Sequence, residues 1–199
     1  MVTESPNKAT ALIPIGIDCS VALYLRDIRE RKQAFPFDWN VTPISSAIEL
    51  IHDGFAEFMF ERNLMYLPQA DRTLVREQED DVRILPDIVT PVIDTKNKIL
   101  FPHDFSVVGK ADIVSVRQKY ERRILRLKEV LKKAEEIVFI YNLREPNFWQ
   151  AKQYQLANVS FPTDKMGELR MGFEILKDIY SNTIIRFVSL SEFDMAKND

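Results

Sequence analysis

Two short runs constrain this chain most: residues 11–17 and 137–141 are apolar almost without a break. Neither run shows the 3.6-residue spacing of a surface helix or the strict alternation of a half-wet strand. Both are too short for a buried helix, so they predict strands covered on two faces. A strand of that kind belongs to a mainly parallel sheet with helices on both sides. The stretches between supply the helices. Residues 20–29 carry Val21, Leu25 and Ile28 at helical spacing, with Asp18 as the expected N-cap. Residues 43–60 carry Ile44, Ala47, Ile48, Ile51, Phe55 and Phe58, with Gly54 interrupting. Residues 112–133 show the clearest stripe, Val116, Tyr120, Ile124, Leu127 and Leu131. A further helix near 166–179 and a last strand at 184–188 follow. Residues 89–93 and 99–101, separated by a polar five-residue turn, predict a β-hairpin insertion. The expected fold is α/β: a Rossmann-like, three-layer, mainly parallel sheet with that hairpin inserted.

A 199-residue chain with 46% hydrophobic residues fits one domain. We expect residues 1–10 to be a disordered lead and 11–199 a single α/β catalytic domain, compatible with a module of a larger multidomain enzyme. The net charge of −3 provides no general field for nucleic acid. No run approaches the ~20 apolar residues that span a bilayer, and the polar first ten residues do not read as an export signal. With one cysteine there is no internal disulfide and no CxxC metal site. A cytoplasmic location is the expectation.

In such sheets ligands gather beyond the carboxyl ends of the strands. Cys19, Asp38, His103 and Asn142 each follow an apolar, strand-like run, so four polar residues are expected to converge on one crevice. Cys19 at a helix start is a candidate nucleophile, because the helix N-terminus favours a thiolate; the alternative is a small buried filler. His103, in an expected turn Pro102-His103-Asp104, is a candidate base, with Asp104 or Asn142 to orient it. Asp38 beside Trp39 is a second candidate base, its carboxyl raised by aromatic surroundings; the alternative is a cap. Arg122, Arg123 and Arg144 are candidates to neutralise a phosphate, against the plainer reading of a solvated basic face. Gly16 and Asp18 complete the expected substrate-binding set. Glu79-Asp80-Asp81 is a weak acidic metal motif; no clear motif calls for a cofactor or a divalent metal. No Walker loop, GxGxxG, GxSxG or HExxH is present.

Gly16-Ile17-Asp18-Cys19, Leu25-Arg26, Pro36-Phe37-Asp38-Trp39, Phe101-Pro102-His103-Asp104-Phe105 and Lys119-Tyr120-Glu121-Arg122-Arg123-Ile124 together resemble an uncharacterised family labelled "putative papain-like cysteine peptidase". The resemblance covers roughly residues 12–142. It implies Cys19 as nucleophile and His103 as base. It also implies a surface-polysaccharide setting, since similar chains are found there, sometimes joined to glycosyltransferase domains.

Three functions follow, in order of expectation. The first is a glycan-assembly glycosyltransferase that moves a sugar from a nucleotide-sugar donor to a saccharide hydroxyl. In it Asp38 or His103 is the general base, Trp39 or Trp149 stacks on a sugar, and Cys19 lines the donor pocket. The second is a papain-like thiol hydrolase or acyltransferase using Cys19 and His103. The third is a non-catalytic binding module.

Overall fold

The computed structural model describes residues 9–68, 89–106 and 113–198. The fold is mixed α/β with two three-stranded sheets. β1 (Thr10–Pro14) leads to α1 (Ser20–Asp27) and α2 (Ile44–His52), then to the short β2 (Leu64–Tyr66). β3 (Val89–Asp94) and β4 (Ile99–Ser106) form the hairpin. α3 (Ile113–Lys133), β5 (Glu136–Tyr141), α4 (Phe148–Leu156), α5 (Lys165–Ile179), β6 (Ile184–Ser189) and α6 (Leu190–Asn198) follow.

The first sheet has the order β1-β5-β6 and is wholly parallel, with Ile13 beside Phe139 and Phe139 beside Phe187. Its central strand shows why residues 137–141 carry no alternation. Ile137, Phe139 and Tyr141 enter the main core with α2, α3 and α5. Val138 and Ile140 enter a second cluster with Val21 and Leu25 of α1 and Phe193 of α6. Apolar side chains are therefore required at every position.

The second sheet, β2-β3-β4, is antiparallel. This corrects the expectation of one mainly parallel sheet. The expected hairpin is present as β3 and β4, and it pairs with β2 into a sheet of its own; a Rossmann-like three-layer arrangement is not what the strand order shows. The segment 40–42 connects the two sheets. The Thr42 N–H donates to the Gly16 carbonyl at 2.8 Å, and Val41 pairs with Leu100 of β4 through two backbone bonds of 3.0 Å. α4 covers this seam, packing Tyr154 and Ala157 against Ile17, Val41 and Leu100. The Tyr154 hydroxyl donates to the Lys98 carbonyl at 2.7 Å.

Several boundaries differ from expectation for physical reasons. Residues 102–104 are not a turn: β4 runs on through them to Ser106. The helix expected to reach residue 60 stops at His52, where Gly54 (φ +64°) and Phe55 (φ +64°) take left-handed backbone and reverse the chain. Thr10 already belongs to β1. α4 was not expected, because its apolar residues lack helical spacing. It is fixed by a capping box: Asn147 Oδ1 accepts from the Gln150 N–H at 2.9 Å, and Gln150 Oε1 accepts from the Asn147 N–H at 2.8 Å. Among the described residues, no helix is long and apolar enough to cross a membrane.

α2 begins after Pro43, which has no side-chain oxygen to cap it. The cap comes from α5 instead. Buried Glu168 accepts from the Ser45 N–H at 3.0 Å and from the Ser45 hydroxyl. Removing it by Glu168→Ala strands the first-turn donor inside the α2–α5 contact. We expect a loss of about 1–2 kcal/mol in urea unfolding, whereas substitution of exposed Glu174 changes stability by under about 0.5 kcal/mol.

Candidate active site

The C-terminal edge of the parallel sheet carries the first group of candidate residues. β1 ends at Pro14 and the chain turns through Gly16, whose φ of +135° is closed to most side chains. A Cβ there would meet the Asn142 backbone nitrogen at 3.5 Å, so the two strand ends lie against each other. Cys19 follows, half-buried, as the N-cap residue of α1. This corrects the expectation that Asp18 is the N-cap. Asp18 acts from one residue earlier, accepting from the Ser20 N–H at 2.9 Å and from the Ser20 hydroxyl. The first turn of α1 contains no acidic residue. The Asp18 carboxylate, bound at the Ser20 N–H, is the negative charge at this helix end, beside the Cys19 thiol.

Asn142, at the end of β5, holds this edge together. Its Nδ2 donates to Ser20 Oγ at 3.0 Å, and its Oδ1 accepts from the Arg144 N–H at 3.2 Å. Both ends of the amide are thereby engaged. Lys165 pins the following loop, donating to the carbonyls of Leu143 and Arg144 at 2.6 Å each. The Arg144 side chain is exposed.

The second group surrounds the turn at residues 36–39. Asp38 has no exposed side-chain surface. Its Oδ2 accepts from Arg31 through Nε (2.9 Å) and Nη2, and from the Phe35 N–H at 3.1 Å. Burial raises its carboxyl above the usual range, and Arg31 opposes that shift. The Arg31 guanidinium also lies 5.4 Å from the Trp39 ring centre. Asn40 joins the turn to α3: its Nδ2 donates to the Pro36 carbonyl at 2.7 Å, and its Oδ1 lies 2.8 Å from the Tyr120 hydroxyl. Asp104, on β4, accepts from Tyr120 at 2.5 Å and from Lys119. Arg123 lies over the Tyr120 ring at 5.4 Å, and Arg122 is exposed.

The expected four-way convergence thus divides. Gly16, Asp18, Cys19 and Asn142 share one edge, linked to Asp38, Trp39, Asp104 and Arg123 through the segment 40–42. His103 is on β4, in the second sheet. Glu79-Asp80-Asp81 lies outside the described residues. Among the described residues, no group of three or more His, Cys, Asp or Glu side chains is placed to hold a metal ion. A cavity of about 480 Å³ opens between Phe58, Met59, Arg117 and Tyr120. None of the Cys19-edge residues lines it.

Sequence alone gives Arg31 and Gln150 no place at the site, and gives Tyr120, though part of the family-resembling block, no role there. Arg31 precedes Asp38 by seven residues in irregular chain, where no periodic pattern flags a partner. Tyr120 reads as one member of a core stripe. Gln150 had a usable signal, the Asn-x-x-Gln spacing of a capping box.

The family model described as "Putative papain-like cysteine peptidase (DUF1796)" matches residues 10–159. The chain belongs to that family. No curated protein and no solved structure matches it. Family membership overturns the glycosyltransferase and nucleotide-sugar expectation; a cysteine hydrolase is the enzyme type that fits. The geometry around Asp38 gives the physical side of the correction. A carboxylate without exposed surface, bound to Arg31, is not placed to take a proton from an acceptor hydroxyl.

The Arg31–Asp38 pair generates a pH-dependent prediction. Arg31→Met leaves a buried carboxylate without its cation, at a cost of about 3 kcal/mol near neutral pH. Its carboxyl pKa in the folded state then rises further. The deficit is present above that raised value and disappears as pH falls below the unfolded value of about 3.9, where both states are protonated. Urea unfolding at pH 7 and pH 4.5 checks this: the wild-type-to-variant gap narrows at the lower pH.

Proposed function

We propose that this chain is a cysteine-dependent hydrolase or acyl transferase in which Cys19 is the nucleophile and His103 its base. The observation that carries the reading is the place of Cys19: half-buried at the N-terminus of α1, directly after β1, within the family-matched region. A thiol there is reachable from solvent, and in this reading His103 draws its proton.

In this reading the thiolate adds to a substrate carbonyl and the leaving group departs with a proton from the His103 imidazolium. The product is a thioester on Cys19. A second nucleophile, deprotonated by His103, then attacks the thioester and regenerates the thiolate. Water as that nucleophile gives hydrolysis; an amine or alcohol gives acyl transfer. With the Ser20 N–H donating to Asp18, the Val21 and Ala22 N–H groups of the first turn of α1 are the source of oxyanion stabilisation in this reading, because residues 12–18 contain no glutamine.

Iodoacetamide titration tests the nucleophile. Cys19 labelling is expected to rise through a midpoint below the ordinary thiol value of about 8.5. His103→Ala is expected to move that midpoint upward and to lower turnover of a chromogenic ester by about 10²-fold or more. Cys19→Ala abolishes that turnover. Ordinary thiol reactivity in the wild type, with turnover surviving Cys19→Ala, overturns the reading.

A further inference from the structure

Gln150 makes a contact that the capping of α4 does not require. Its Oε1 accepts from the Asn147 N–H at 2.8 Å and completes the helix cap. Its Nε2 reaches across to the Ile17 carbonyl, also at 2.8 Å. Ile17 lies two residues before Cys19, and Gln150 is buried, 7% exposed. One amide therefore fixes both a helix start and the peptide that precedes the nucleophile.

The Cys19 backbone is held on either side by different elements. On the upstream side the Gly16 carbonyl accepts from Thr42 and the Ile17 carbonyl from Gln150. On the downstream side Ser20 is held by Asp18 and by Asn142, the residue after β5. Between these anchors the chain must change from strand to helix within a few residues, starting from a glycine at φ +135°. A free Ile17–Asp18 peptide has other rotations open to it, and most take residue 19 off the axis of α1. Fixing the Ile17 carbonyl removes them.

We propose that Gln150 is a positioning residue for Cys19: by holding the Ile17 carbonyl it keeps residue 19 at the N-terminus of α1, in place for its base. The proposal rests on Cys19 being the nucleophile. It adds a specific dependence of that cysteine's reactivity on a residue 131 positions downstream, a distance that local sequence cannot convey.

The test separates the clamp from the cap. Gln150→Met removes the Ile17 clamp and one capping bond. Asn147→Ala removes the other capping bond and leaves the clamp intact. Both are expected to lower the melting temperature. Only Gln150→Met is expected to move the iodoacetamide midpoint of Cys19 upward, and a rise of one pH unit slows labelling at pH 6 about tenfold. Should Gln150→Met fail to fold, Gln150→Glu retains the Asn147 capping acceptor and loses the donor to Ile17. Asn147→Asp adds a like charge at the same helix end and leaves the clamp intact, so a slowing by Gln150→Glu beyond that of Asn147→Asp comes from the lost clamp. Equal midpoints in wild type, Gln150→Met and Asn147→Ala overturn the positioning role while leaving Cys19 as nucleophile. A wild-type Cys19 that reacts as an ordinary thiol overturns both.

Discussion

The contact on which the site depends is the seam at residues 40–42. A parallel sheet and an antiparallel sheet share no ladder, so something else must fix how they meet. Here one strand-like segment bonds to both, through Thr42 to Gly16 and through Val41 to Leu100. Each of these bonds is worth only about 1 kcal/mol net, yet they set the geometry of everything around them. Asn40 then carries the same segment to Tyr120 and α3, and Asp38 closes the turn before it on Arg31. The edge that bears Cys19 and the hairpin that bears His103 are related through these few atoms. The apolar cluster beneath α4 seals the seam from water, which keeps its backbone bonds from exchanging with solvent.

Polar groups inside the molecule follow one pattern: a side chain from a distant element completes what the local sequence leaves open. Pro43 cannot cap α2, and Glu168 does so from α5. The Ile17 carbonyl lies past the end of β1, and Gln150 meets it from α4. Buried Asp94 accepts from the Met59 N–H at 3.0 Å and from Asn97, so that the hairpin anchors the turns that follow α2. Satisfied polar groups of this kind add specificity to a core that apolar packing alone leaves degenerate.

How much of this was legible follows from the range of each interaction. α3 could be read because Val116, Tyr120, Leu127 and Leu131 face one core and repeat at helical spacing. β5 could be read because both of its faces are covered. The hairpin was marked by its polar turn. The partition into two sheets was not legible, since β1, β5 and β4 present similar apolar runs and only pairing partners distinguish them. α4 was hidden because its inward face is polar: Gln150, Gln153 and Tyr154 are its buried residues. At the site, Cys19, Asp18 and Asn142 stood out as residues that close apolar runs, and the structure sets them on one edge. Asp38 stood out for the same reason but is engaged by Arg31, a partner with no sequence signature. The pull toward sugar transfer came from the company that similar chains keep, which carries no information about atoms.

The remote cap on α2 has a consequence for how the chain is made. Residue 45 waits for residue 168, and the central strand β5 waits for β6 at residues 184–189 before its second edge is paired. A chain emerging from the ribosome at about 5–20 residues per second therefore exposes the α2 surface, including Ala47, Ile48 and Ile51, for several seconds before α5 exists to cover it. Contacts this distant in sequence also slow folding, because the loop must close before they repay its entropy. Truncation anywhere before α5 removes the partner of α2 as well as the final strand, so the last 40 residues govern the yield of folded protein even though the family match ends at residue 159.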